Sequence, residues 1–316
     1  MTGAALLAVI SASTIVGAHL LASARWPWAM PHIAIALWQA VGLAWGVATI
    51  GALLGVALLP YHAGVASGLW RLGTDLATES HTRLGIAQLT ALLSGLSLAA
   101  VLTAVLLVAI LRVVRARHRH RRLLALVARG EPDGTLVLDH PAAAAYCVPG
   151  MRSAKVVVSA GTLRLLDPAE LAAVLEHERA HARERHDLVL LPFSSLRQTF
   201  PRFGLVGRCL DAVELLVEMA ADDQAKRHRS ARELATALLR FAAARPAAAP
   251  SGALAALTVR TGDSPAEKGP VTASPILTRV NRLVEPTRPH RVTRVAALGA
   301  ATLIAVVPPL LYALPL

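Results

Sequence analysis

LEHERAHARERHD, residues 175–187, is the stretch on which the reading of the whole chain turns. It holds His177, Glu178 and His181 in the order H-E-x-x-H. Residues four apart on a helix share a face, so His177 and His181 can aim imidazole nitrogens at one ion, with Glu178 one step round. The residues before it read as the start of that helix. Asp167 suits the N-cap, Pro168 the first helical position, and Glu170 completes a capping box. On such a helix Glu178 can reach a metal-bound water without ligating the metal, which is the mechanical content of the motif. The plain alternative is a charged helix in which two histidines fall four apart by chance.

A catalytic zinc takes three protein ligands and keeps one position open. VELLVEMAADDQA, residues 213–225, offers the missing carboxylate. Glu214, Glu218 and Asp222 stand at steps of four among Leu215, Leu216, Val217 and Met219. Acids in such company are costly to bury unless they meet a cation. The expected third ligand is Glu218, with Asp222 one turn on accepting a hydrogen bond from a ligand histidine. Glu214 is the rival ligand, and a solvated acidic stripe is the bland reading. His186 lies five residues after His181, off the ligand face, and reads as structural. Cys147 and Cys209 form no CxxC pair and read as small buried hydrophobes. Ser194 and Ser195 lack a nucleophile-elbow pattern, and no Gly-rich phosphate loop is present.

Around this core the chain is unusually apolar, with 55% hydrophobic residues in 316. Four stretches free of Asp, Glu, Lys and Arg reach the roughly 20 residues needed to span a bilayer: about 3–22, 33–59, 84–111 and 295–316. The first is not expected to be a cleaved signal peptide, because no positive side chain precedes it and Arg25 follows it. Six arginines lie in RVVRARHRHRR, residues 112–122, directly after the third stretch, and TRPHRVTR, residues 287–294, precedes the fourth. Positive-inside asymmetry therefore places residues 112–294 in the cytoplasm. The same asymmetry accounts for the net charge of +12 without a nucleic-acid partner. His118 and His120 belong to this run, which is expected to face lipid headgroups.

The expected architecture is a mainly α membrane protein. Residues 1–111 would carry three transmembrane helices, 112–294 a cytoplasmic α+β zinc domain, and 295–316 a fourth transmembrane helix. Val156, Val157 and Val158 read as a strand, positioned to pair with an extended peptide. Helices are expected at about 211–227 and 231–244, and a mobile loop rich in Ala, Pro, Gly and Ser at about 245–275.

HERAH followed by EMAAD is similar to the H-E-x-x-H plus E-x-x-A-D pattern of gluzincin membrane proteases of the HtpX type. VVVSAGTLRLLDPAELAAVLEHERAHARERHD looks more closely like the BlaR/MecR-like peptidases, β-lactam receptors that cleave a repressor. The layout of three spans, zinc domain and fourth span is similar too. The resemblance implies a gluzincin-type zinc metalloendopeptidase with His177, His181 and Glu218 as zinc ligands and Glu178 as general base. It implies a cytoplasmic protein substrate, in the nearer family a winged-helix repressor. General membrane-protein quality control and a non-catalytic signalling scaffold are the other expected roles. Arg179 stands where the related proteases carry an apolar residue. No S-x-x-K falls in a suitable extracellular segment, so the signal is expected from a separate sensor partner or from the loop 60–83.

Overall fold

The computed structural model describes residues 2–78, 84–130, 135–148, 155–244, 274–285 and 291–313. These fall into two compact units: residues 1–107, 193–213 and 289–316 in one, and 108–192 and 214–288 in the other.

In the first unit, helices α1 (Thr2–Ser23) and α11 (Arg291–Leu311) both pack on α2 (Pro31–Ala57). Trp38 is buried and meets Phe193 edge-on, with ring centroids 6.3 Å apart. Several polar atoms here are matched within the protein, while the buried Trp38 Nε1 is without a hydrogen-bond partner among the described residues. Ser11 and Thr49 share a hydroxyl hydrogen bond of 2.7 Å, and the Tyr312 hydroxyl donates to the Val47 carbonyl at 2.7 Å. That is what an environment without water requires. Between α2 and the next long helix lies one that the hydropathy pattern does not announce, the amphipathic α3 (Val65–Ala77). It buries Val65 and Leu72 against Leu54, Leu58 and Tyr61.

Helix α4 (Ile86–Val127) does not end with its apolar part at Leu111 but runs on through the arginines. Ala, Leu and Arg are strong helix formers, and neither Gly nor Pro occurs between Gly95 and Gly130. Among the described residues, four helices are long and apolar enough to cross a membrane: Gly3–Ser23, Pro31–Ala57, Ile86–Ala125 and Arg291–Leu311. Leu89, Leu93, Leu96 and Leu107 on α4, and Leu298, Leu303 and Leu310 on α11, are exposed. Outward apolar faces of this extent suit lipid rather than water.

The second unit is built on a four-stranded sheet: β1 (Arg129–Gly130), β2 (Leu136–Leu138), β3 (Ala145–Val148) and β4 (Lys155–Ser159), in the order β1-β2-β4-β3. β4 runs parallel to β2 and antiparallel to β3, with Val157 opposite both Leu136 and Tyr146. This corrects the expectation that the valine strand pairs with a peptide. β4 is flanked on both sides, and its three buried valines are those of an interior strand. Among the described residues, the edge left open on that side is β3.

From β4 the chain turns through α5 (Ala160–Leu165) into α6 (Pro168–Arg183). Gly161 makes the turn possible. A Cβ there would lie 2.2 Å from the Pro141 carbonyl oxygen and 2.7 Å from the Ala142 carbonyl carbon. Neither backbone atom can swing aside, so Gly161→Ala should destabilise the protein by about 3 kcal/mol, the upper end for overpacking. The melting temperature of detergent-solubilised protein checks this, and an unchanged midpoint would mean the 140–142 backbone yields.

α6 starts where its sequence says. The Asp167 side chain accepts from Glu170 N at 2.9 Å, and Glu170 returns the bond to Asp167 N at 3.1 Å. α7 (His186–Thr199) follows at once, then α8 (Gly204–Ala225), α9 (Ala231–Ala244) and α10 (Pro275–Val284). α8 begins seven residues earlier than the acidic pattern suggested (204 against 211). Within the second unit Ala173 of α6, Ala225 of α8, Leu234 and Ala235 of α9 and Leu283 of α10 form one apolar cluster. The loop expected at 245–275 lies outside the described residues up to 273, and at Pro275 α10 has already begun.

Candidate metal centre

The middle of α6 and the last turns of α8 bring three ligating side chains to one point. His177 Nε2 and His181 Nε2 are 3.1 Å apart. Glu218 closes the triangle, with Oε2 3.5 Å from His177 Nε2 and Oε1 3.6 Å from His181 Nε2. A tetrahedral zinc with bonds of about 2.0–2.1 Å sets its ligand atoms roughly 3.3 Å apart. The observed triangle matches that spacing, and two imidazoles with one carboxylate form a donor set that suits zinc. Glu214, the rival ligand, is exposed one turn back on α8 and is not part of this group.

Each ligand histidine meets a partner at its other nitrogen. Nδ1 of His177 lies 3.0 Å from Oδ1 of Asp222, though too far off the N–H line to count as a well-formed hydrogen bond. Nδ1 of His181 lies 2.9 Å from Nδ1 of His186. His186 does not extend α6, as its position in sequence suggests. α6 stops at Arg183, Arg185 takes a left-handed conformation with φ 52°, and α7 starts at His186. A non-glycine residue there costs about 1 kcal/mol or more.

Arg279 of α10 closes the centre from the third side. Its Nε and Nη2 donate to the two oxygens of Asp222 at 2.9 and 2.7 Å, and its Nη1 lies 2.7 Å from Glu218 Oε2. Next to it, Arg282 Nη2 donates to Asp223 Oδ2 at 2.5 Å. The planar guanidinium fork fits a buried carboxylate on two bonds, which a lysine does not.

The electrostatics follow from this packing. Burial works against charge on Asp222 and Glu218, yet Arg279 holds both carboxyls well below the usual range. Burial also disfavours a charged His177, but Asp222 and Glu218 outweigh it and raise that ring to about 9. His181, buried and beside other cationic groups, is pushed down to about 3, so it is neutral. The cluster is thus arranged to hold positive charge, with one imidazole already in the neutral form a metal ligand needs.

Glu178 is buried on the same helix without belonging to the triangle. Burial, with a further contribution from Glu218, raises its carboxyl to about 7, against the pull of His177 and Arg279 and of a hydrogen bond from the Cys147 backbone. A carboxyl poised near neutrality can both take up and release a proton.

The model of peptidase family M48 matches residues 113–300, more than half of the chain. The chain belongs to peptidase family M48. No curated protein and no solved structure matches it. An M48 peptidase is a metallopeptidase, typically of zinc, and the matched span contains every residue of the centre described above. The residues that fit the ion in this M48 protein are His177, His181 and Glu218. Two neighbours of theirs, Arg279 and His186, are not recognisable from the motif. The signal for Arg279 was a pair of arginines three apart in PILTRVNRLV, residues 275–284, an amphipathic segment whose partner the sequence does not name.

Proposed function

We propose that this M48 peptidase is a membrane-embedded zinc endopeptidase of the BlaR/MecR-like kind, with its catalytic unit on the cytoplasmic side and a cytoplasmic protein as substrate. The observation that carries the reading is the His177–His181–Glu218 triangle with Glu178 beside it, in a chain whose described residues include four membrane-length apolar helices. The orientation is supported by the six arginines that follow the apolar part of α4. A transcriptional repressor is the proposed substrate class, on the resemblance of the 156–187 stretch.

A bound zinc supplies Lewis acidity toward a water molecule and a peptide carbonyl. The remaining chemistry falls to the chain. Glu178 takes the proton of the attacking water and returns it to the departing amine. Asp222 and Arg279 keep His177 and Glu218 in place while charge develops. β3 has one strand partner among the described residues, and its Cys147 backbone bonds to Glu178. An extended substrate adding to that edge would lie within reach of the general base. Main-chain pairing of this kind is tolerant of sequence, and this favours, as a second reading, broader cleavage in membrane-protein quality control.

Purified protein should carry about one zinc per chain, and His181→Ala should lose it. Stoichiometric zinc in that variant would contradict the ligand set. A reporter inserted at Gly262 should report a cytoplasmic location, and an extracellular signal there would remove a cytoplasmic repressor from consideration. Comparing cytoplasmic protein fragments in cells with and without the enzyme separates one specific substrate from many.

A further inference from the structure

His186 is a buried ionisable group to which the reaction above gives no part. Its side chain is 2% exposed, and its ring packs edge-on to that of His181, with centroids 4.8 Å apart. The left-handed Arg185 turns the chain between α6 and α7 and delivers it there. Nε2 of His186 stands 3.0 Å from Oε2 of Glu184, and the other oxygen of Glu184 accepts from the Gln224 amide of α8. Nδ1 of His186 faces Nδ1 of His181 at 2.9 Å.

Donors and acceptors along this chain can be matched in only one way when both rings are neutral. An ionised carboxylate accepts and cannot donate, so the proton between Glu184 and His186 sits on Nε2 of His186. Nδ1 of that ring then carries a lone pair and can only accept. The proton between the two rings therefore belongs to Nδ1 of His181. Nε2 of His181 is left with its lone pair, directed at His177 Nε2 and Glu218. This is the tautomer that a metal ligand must adopt.

We propose that His186, anchored by Glu184 and Gln224, is a positioning residue that fixes His181 in its ligating tautomer and thereby sets the affinity for zinc. The proposal rests on the zinc reading given above. It assigns His181 a counterpart to the Asp222 that serves His177, built from an imidazole and a remote carboxylate instead of a carboxylate alone.

The test is the zinc dissociation constant of the full-length protein in detergent, measured by competition with a chromogenic chelator. His186→Leu keeps bulk but removes the acceptor. It should bind zinc on the order of 10- to 100-fold more weakly, the usual effect of losing a partner behind a ligand. The metal-free melting temperature should stay close to that of the wild type. His186→Asn restores an acceptor oxygen near the position of Nδ1 and should recover most of the lost affinity. Wild-type affinity in the leucine variant overturns the proposal, and so does equal weakening in both variants, which would mean packing alone. If His186→Leu does not fold, Glu184→Ala carries the test, because it leaves the ring but frees its tautomer. It should weaken zinc binding, and unchanged affinity overturns the proposal. A folded wild type that takes up no zinc would bring down the zinc reading and this one with it, whereas tight wild-type binding with unaffected variants removes only the positioning role.

Discussion

Glu178→Gln is expected to lower proteolysis by about 100- to 10,000-fold while zinc stays near one per chain. The amide is nearly isosteric with the carboxyl, and Glu178 stands outside the triangle of ligating atoms, so neither fold nor metal should change. What changes is proton traffic. Burial lifts this carboxyl to about 7, where it can accept a proton from water and give it up to an amine in one turnover. Glutamine does neither. Zinc content by atomic spectroscopy and cleavage of a co-expressed candidate repressor measure the two sides. A scaffold that signals without cutting gives a different result: the Glu178→Gln strain would behave as wild type while a deletion shows a defect. That outcome would remove the enzymatic reading.

Arg279→Met should be the most destabilising single change in the second unit, at about 3–5 kcal/mol, the range for removing one partner of a buried ion pair. The arginine is buried, Asp222 is fully so, and Asp222 shares that guanidinium with Glu218. Methionine fills much of the space but leaves Asp222 and Glu218 with only His177 to balance their charge. Zinc would restore part of the missing positive charge, so the loss of melting temperature should be larger with a chelator present than with zinc. Adding Asp222→Asn to Arg279→Met should restore stability, since the pair is coupled and the effects of the two changes should not add. A drop under about 1 kcal/mol in the chelated protein would show that the pair is not the support its geometry indicates.

Much of the second unit is local and therefore legible in sequence. The capping box at Asp167 and Glu170 sets the start of α6 with its own side chains. The four-residue step from His177 to His181 needs nothing beyond helical geometry. Glu218 and Asp222 are read the same way, as acids in register on an apolar helix, and the structure brings Glu218 to both histidines and Asp222 to His177. The features that escape are those made by distant chain segments meeting. Whether the valines of β4 form an edge or an interior strand depends on β2 and β3 arriving on either side. The role of His186 depends on one left-handed residue, Arg185, a conformation for which arginine has no particular preference. Arg279 acts across 57 positions of chain, and no periodicity connects it to Asp222.

That separation also has a meaning in time. The ribosome adds about 5–20 residues per second. The 57 residues between Asp222 and Arg279 therefore take roughly 3–11 s to synthesise. Throughout that interval the nascent chain has both histidines, the acids and the general base, but lacks the arginine that makes burying the acids tolerable. α8 should consequently stay hydrated and undocked until α10 leaves the exit tunnel. The last component of the centre to be translated is thus also the one that closes it.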